Sequence, residues 1–231
     1  MSADNRRFRP PRGATPLTLV FVALLMGLGF WQLHRLEWKE ALLARIESQL
    51  AGPPRPLPAE ISDPAAWEYA RVQVSGRFRH EAELHLARGR GWQIITPLIR
   101  DSGPPVLVVR GFAPNRLKDP ASRPESLVDT PLTIEAIARL PETPGRFTPD
   151  NRPQENVWVW RDIAAMAEAA GLETAAPLFL EAVGDAPGGW PQGGVTRLDI
   201  PNRHLGYAVT WFALAASLIV IYIAAGLRRY G

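Results

Sequence analysis

The chain has 231 residues, a formal net charge of +3 and no cysteine. Without cysteine, disulfides, thiolate metal sites and a cysteine nucleophile are excluded. The charge distribution argues against a nucleic-acid-binding protein, whose main domain should itself be basic, because residues 1–35 carry +4, residues 36–202 carry −4 and residues 203–231 carry +3. The basic ends instead suit the phosphate groups of a lipid bilayer.

The N-terminal part predicts a retained membrane anchor. Residues 1–12 contain four arginines, and Gly13–Leu33 follows with 21 uncharged positions. A secretory signal would have an apolar region of about 7–15 residues and a cleavage site of small residues. We therefore predict a basic cytoplasmic N-terminus at 1–12 and a transmembrane helix at 13–34.

Good helix formers continue beyond this span until Gly52, which two prolines follow. The pattern predicts a stalk helix over 35–52. Its apolar residues lie on one side and favour a seat for the soluble domain over a partner site. They are Leu36, Leu43, Ile46 and Leu50.

Residues 53–202 predict an outward-facing α+β domain. A proline-rich connector at 53–64 leads into segments with strand-like alternation, bounded by Gly and Pro turns. One short helix is expected after Asp162, whose carboxylate can cap it, and Gly171 ends the pattern. The predicted strands, mostly antiparallel, are Trp67–Phe78, Glu83–Arg88, Gln93–Ile99, Val106–Phe112, Leu132–Leu140 and Phe179–Val183.

The C-terminal part predicts a second transmembrane helix at 203–227, followed by a cytoplasmic tail at 228–231. Leu205–Leu227 has no charged residue for 23 positions, and a helix of that length crosses the roughly 30 Å hydrocarbon core of a bilayer. The fold class is therefore a membrane protein with two transmembrane helices flanking one α+β domain.

The distribution of positive charges near the two spans favours a topology with both termini on the cytoplasmic side of the membrane. Four arginines precede the first span and Arg228 and Arg229 follow the second, whereas Arg35, Lys39, Arg197 and Arg203 face the large domain. We expect a multi-pass protein of the bacterial inner membrane with a periplasmic domain. In a mitochondrion the same topology would place the domain in the intermembrane space.

Catalytic motifs are absent from the sequence, which has only four histidines. His80 and His85 are five positions apart and so lie on opposite faces of a strand. Glu81, Glu83 and His85 can share a face, as a metal site would need, but a solvated strand edge is the favoured interpretation. We therefore expect no enzyme and no catalytic residue, and keep a periplasmic enzyme using His80 or His85 as a remote alternative.

His204 stands at the entrance of the second span. Because the two spans are antiparallel, Trp31 and Gln32 at the outer end of the first lie level with His204, Tyr207 and Trp211. Two interpretations remain open. One is a pocket in which a neutral imidazole binds a metal or heme iron, and the other is the ordinary belt of interfacial aromatic residues.

Seven short segments occur in order over nearly the whole chain. They are Gly29–Lys39 (GFWQLHRLEWK), Arg71–Gly76 (RVQVSG), Gly91–Leu98 (GWQIITPL), Val106–Phe112 (VLVVRGF), Pro149–Pro153 (PDNRP), Asn156–Trp158 (NVW) and Pro201–Phe212 (PNRHLGYAVTWF). Together they resemble the signatures of the Surfeit locus protein 1 family, called Shy in yeast. Phe112 departs from the pattern, which more usually has Trp at this position.

The resemblance implies a cytochrome c oxidase assembly factor, a chaperone of respiratory-chain biogenesis whose bacterial members bind heme a. It implies that His204 is the candidate axial ligand of the heme iron. Trp31, Gln32, Tyr207 and Trp211 are inferred to surround it.

The partners implied are the oxidase catalytic subunit, heme a synthase and the lipid bilayer, with no nucleic acid. Arg110 and Arg116 are candidates for docking the oxidase, although a structural role for Arg110 near the core is an alternative. The competing interpretation is a membrane-anchored scaffold for oxidase assembly that binds no cofactor.

Overall fold

The computed structural model describes residues 13–196 and 202–228. The predicted N-terminus at 1–12, Arg197 and most of the predicted tail therefore lie outside the described residues. In chain order the elements are α1 (Thr15–Ala51), β1 (Arg55–Pro56), β2 (Arg71–Phe78), β3 (Leu84–Arg88), β4 (Gly91–Arg100), β5 (Val106–Pro114), β6 (Leu132–Arg139), α2 (Ile163–Ala169), β7 (Phe179–Ala182) and α3 (His204–Arg228).

The chain forms two compact units. One comprises Met1–Arg45 and Asp199–Gly231, and the other comprises Ile46–Leu198. We call the first the helical unit and the second the sheet domain. The two long helices flank the sheet domain in sequence, so the predicted fold class is confirmed.

The helical unit contains the two helices that are long and apolar enough to cross a membrane, α1 and α3. Many of their large apolar side chains are exposed, as with Leu19 and Ile221, both at 64 %. Such a surface is stable where lipid covers it. The helices touch through a hydrogen bond between the hydroxyls of Thr15 and Tyr222 at 2.8 Å, which satisfies both polar groups.

Helix α1 runs without a break through the predicted span and the predicted stalk, because no proline or capping residue interrupts it before Gly52. Its last turns belong to the sheet domain. There Ile46, one of the four apolar residues of the predicted stalk, is only 4 % exposed, and the seat for the soluble domain stays a prediction.

The sheet has the strand order β1-β2-β6-β7-β5-β4-β3. Strand β2 also pairs with β4, so β2, β6, β7, β5 and β4 form a closed ring. The pairs β1–β2 and β5–β7 are parallel, and the other pairs of the described sheet are antiparallel. The mostly antiparallel sheet is thus confirmed, and the central parallel pair was not predicted.

Alternation in β2 is as predicted, with Val72, Val74 and Phe78 buried and Gln73 exposed. The strand begins at Arg71 rather than at Trp67. A 3₁₀ turn at Pro64–Trp67, capped by Asp63, precedes it instead. A proline at the first turn position and an aspartate cap stabilise that turn against an extended chain.

Two buried clusters lie on opposite faces of the sheet, because β5 contributes Val106 and Val108 to one and Leu107 and Val109 to the other. Helix α2 covers the second cluster through Met166, which is fully buried. We call this face the α2 face.

The predicted short helix is confirmed as α2. The amide of Ala165 donates to the Asp162 carboxylate at 3.1 Å, and Gly171 adopts a φ of 65° just beyond the helix. Only glycine adopts this conformation without strain, so the helix ends there.

The connector at 53–64 is more structured than predicted. Arg55 and Pro56 form β1, parallel to β2. Arg100 donates to the carbonyls of Leu57 and Pro58 at 3.0 and 2.6 Å. A buried leucine and an internal arginine therefore hold the connector against the sheet.

Candidate functional site

His204 and Gln32 meet where α3 begins. The Nδ1 atom of His204 lies 2.8 Å from Oε1 of Gln32 on α1. A carboxamide oxygen can only accept a hydrogen bond, so Nδ1 carries the proton. In the neutral form of the imidazole, this tautomer has its lone pair on Nε2.

The Nε2 atom of His204 has no hydrogen-bond partner within the described part of the chain. Histidines that bind metals usually donate their other ring N–H to an acceptor, which fixes the ring and raises its basicity. Gln32 supplies that acceptor. The pair therefore has the chemistry of an axial ligand with its supporting hydrogen bond.

Aromatic side chains surround this end of the helical unit. The rings of Phe30 and Phe212 meet edge to face, with centroids 5.4 Å apart at 74°. Trp211, two turns after His204 on the same helical face, has a buried indole N–H without a hydrogen-bond partner among the described residues. An unpaired buried donor is costly, and a ligand oxygen can satisfy it.

Trp31 and Tyr207 are placed differently. Each is 54 % exposed, and neither forms a side-chain hydrogen bond with His204 within residues 13–196 and 202–228. The structure thus joins Gln32 directly to His204, aligns Trp211 with it, and leaves Trp31 and Tyr207 on the surface, where interfacial aromatic residues also lie.

The chemistry of the residues present is compatible with a heme held by His204. The set comprises one neutral imidazole, one unpaired N–H donor and aromatic side chains, and heme iron accepts histidine as its axial ligand. Within residues 13–196 and 202–228, no group of three or more His, Asp or Glu side chains is placed to bind a metal ion.

The predicted solvated edge at residues 80–85 is wrong. His80–Ala82 is a 3₁₀ turn, and Glu83 and His85 are buried, at 6 % and 9 % exposure. Glu83 accepts from His85 Nε2 at 2.9 Å and pairs with Arg123. The loop at 113–131 brings Arg123 over the sheet and makes burial of this carboxylate possible, which local sequence did not reveal.

Arg110 is also buried, at 4 % exposure. It lies at a bulge, because Ile94 pairs with Gly111 while Ile95 pairs with Val109. Its guanidinium donates to the carbonyl of Ser126 at 2.5 Å and lies over the ring of Phe78. Burial lowers the pKa of Arg110 to about 10. Arg110 therefore has the structural role near the core that was the alternative interpretation, and its side chain is too buried to contact a partner.

Two features were missed at the sequence level. Gly29 faces the ring of Phe212, so that an added Cβ would overlap it, and the GFW segment gave no sign of this close approach. The second is Glu181, which is 1 % exposed in β7 and pairs with Arg161 at 2.6 Å. An acidic residue inside an apolar strand is the signal that would have revealed it.

Known proteins match the chain over most of its length. A sequence model of the SURF1 family matches residues 19–216. A SURF1-like protein of Monosiga brevicollis is 35 % identical over 89 % of this chain and 84 % of its own length.

Surfeit locus protein 1 of Mus musculus is 36 % identical over 91 % of this chain and 75 % of its own. The Homo sapiens protein of the same name is 34 % identical over 91 % of this chain and 76 % of its own. The segment that the family model matches contains Gln32, His204 and Trp211. The chain belongs to the SURF1 family.

Proposed function

We propose that this protein is a cytochrome c oxidase assembly factor that binds heme a through His204. Family membership supports the assembly role. The observation that carries the heme-binding role is the hydrogen bond between His204 Nδ1 and Gln32 Oε1, 2.8 Å long, because it leaves the Nε2 lone pair for iron.

Each residue then has a defined task. His204 would ligate the heme iron, and Gln32 would hold the imidazole in the tautomer that makes this possible. The indole N–H of Trp211, unpaired among the described residues, donates to a ligand oxygen. Trp31 and Tyr207 cover the exposed side. Bound heme a would supply an iron centre and an apolar macrocycle that these groups contact. In this proposal the chain itself catalyses no reaction.

A single protein ligand suits delivery. A carrier must retain its cargo against loss and still release it, so the difference in affinity between carrier and acceptor must favour the acceptor. An acceptor protein that binds the heme through more side chains than the carrier does would have the higher affinity. The recipient we propose is the catalytic subunit of the oxidase, with heme a synthase as the source.

The proposed location is the bacterial inner membrane, with both termini cytoplasmic and the sheet domain in the periplasm. The two membrane-length helices α1 and α3 support a membrane protein, and the arginine bias supports this orientation. Among the two docking candidates, Arg116 is exposed and Arg110 is buried. Only Arg116 remains available to a partner.

A scaffold that binds no cofactor is the second candidate. The exposure of Trp31 and Tyr207, 54 % each, favours it, since an interfacial belt would look the same. Both candidates predict that the oxidase subunit co-purifies with the chain. Only the carrier predicts a heme spectrum.

The deciding experiment purifies the full chain in detergent from cells that make heme a. We expect wild type to carry a heme absorption band, His204→Ala to lose it, and His34→Ala to keep it. His34 is a matched control because it is an exposed histidine on α1. Equal heme retention in His204→Ala and wild type would remove the ligand assignment and leave the scaffold.

A further inference from the structure

The α2 face of the sheet domain contains a cleft of about 750 Å³. Glu181 belongs to this face, because it alternates along β7 with Leu180, whose side chain packs into the cluster on the opposite face. Six charged residues line the cleft. They are Arg88, Arg90, Arg139, Arg161, Glu142 and Glu181.

Both carboxylates of the cleft are already satisfied. Glu181 pairs with Arg161 at 2.6 Å, accepts from the hydroxyl of Thr196 and lies 3.6 Å from Arg139. Glu142 accepts two hydrogen bonds from Arg88, at 3.0 and 3.3 Å. Each carboxylate oxygen of these two residues therefore already has a partner.

Donors, by contrast, are in surplus. The Nε of Arg161, a residue only 6 % exposed, is buried without a hydrogen-bond partner among the described residues. Its distance of 3.7 Å to Glu142 is too long for a hydrogen bond. Arg90 is exposed and forms no hydrogen bond or ion pair with the described residues. The cleft therefore has an excess of positively charged donors, which a negatively charged ligand would satisfy.

The shape of the cleft favours an extended ligand. Its lining residues come from β6, β7, β5, β4 and β3, which are consecutive in the sheet. With about 4.8 Å between strands, the path across these five strands is about 19 Å long, which about six residues of extended chain would follow. The path is curved, because β2 closes the ring between β4 and β6. Phe112 and Val195 add apolar surface between the charges. A single small anion would fill only part of this path.

We propose that the cleft binds an acidic, extended segment of a partner polypeptide, whose carboxylates pair with Arg90 and Arg161. Charge-assisted hydrogen bonds from guanidinium to carboxylate are the strong, geometrically specific kind. This binding does not depend on heme, so it stands or falls separately from the carrier function.

The test uses the full chain in detergent and a fluorescent short peptide that alternates Glu with Ala, compared with its Gln counterpart. We expect the Glu peptide to bind and the Gln peptide not to bind. Arg90→Gln should weaken binding about fivefold to tenfold, and Arg90→Glu further. Arg77→Gln is the matched control, because Arg77 is an exposed arginine on β2 outside the cleft.

Two results would overturn the proposal. The first is equal peptide affinity in wild type and both Arg90 variants, which would place the peptide elsewhere. The second is complete displacement of the peptide by inorganic phosphate at a concentration comparable to that of the peptide. This would identify a simple anion site instead of a polypeptide groove. Circular dichroism of each variant checks that the fold is kept.

Discussion

Gln32 accepts a hydrogen bond from Nδ1 of His204 over 2.8 Å, and so one helix sets the proton position on a histidine of the other. The two residues are 172 positions apart in sequence. Neither helix alone contains this pair.

Replacing Gln32 with Leu should weaken heme retention without abolishing it. The imidazole remains, but nothing fixes its tautomer, and loss of such a supporting partner typically lowers metal affinity by about 10–100-fold. Gln32→Glu should retain heme, because a carboxylate accepts the same hydrogen bond. Heme absorption per protein, measured after dilution, checks both, and full retention in Gln32→Leu would contradict the role of Gln32.

Replacing Gly29 with Val should disrupt the contact between α1 and α3. A Cβ at Gly29 would lie 2.7 Å from Cζ of Phe212, and such overpacking destabilises by about 1–3 kcal/mol. Gly27→Val is the matched control, because nothing lies within 4 Å of a Cβ at Gly27. Thermal stability in detergent checks the pair, and equal melting temperatures would show that the close approach is unimportant.

Replacing Glu83 with Ala should destabilise the sheet domain strongly. Arg123, with 3 % of its side chain exposed, would then be a buried charge without its carboxylate, which costs about 3–5 kcal/mol. Glu81→Ala serves as the control, because 74 % of that side chain is exposed, and it should change stability by less than about 0.5 kcal/mol. Urea unfolding followed by tryptophan fluorescence measures both.

Stability should also fall in mild acid because of His80. Burial lowers its pKa, and the Arg110 guanidinium acts in the same direction, while the carbonyl of Val128 and the carboxylates of Asp129 and Glu83 oppose them. As the pH falls, His80 is therefore protonated in the unfolded state before it is protonated in the folded state. The contribution of His80 is fully present above about pH 6.5 and is lost as the pH falls below that value.

The variant His80→Asn tests this pH dependence. Arg110 lies 3.4 Å from His80 Nδ1, so protonation would place two cations together. We expect the variant to show a flatter dependence of unfolding free energy on pH between about 5 and 7. An unchanged slope would assign the acid sensitivity to other groups.

Local patterns were sufficient for the two long helices, for the alternation of β2 and for the cap at Asp162. Each of these depends on neighbouring residues, such as an apolar run or an Asp before a helix. The position of His204 at the entrance of an uncharged helix singled it out, and the family resemblance then favoured the heme-ligand interpretation. The pair that it forms with Gln32 required three-dimensional information.

The misjudged features depend on residues distant in sequence. The local sequence around Glu83 indicates a surface residue. Its burial depends on Arg123, 40 positions later, which pairs with it. The parallel pairing of β5 with β7 joins Leu107 to Phe179, across most of the domain. Such pairings depend on topology, which propensity and periodicity do not encode.

Strand β7 lies at the centre of the sheet yet is synthesised after every other strand. Until Phe179–Ala182 leaves the ribosome, β5 and β6 present unpaired edges. The sheet of the domain therefore stays incomplete until β7 is synthesised, whereas the first helix is available to the membrane much earlier. Folding of the sheet domain is expected to follow synthesis of its last strand, and this order makes the nascent chain dependent on protection from aggregation.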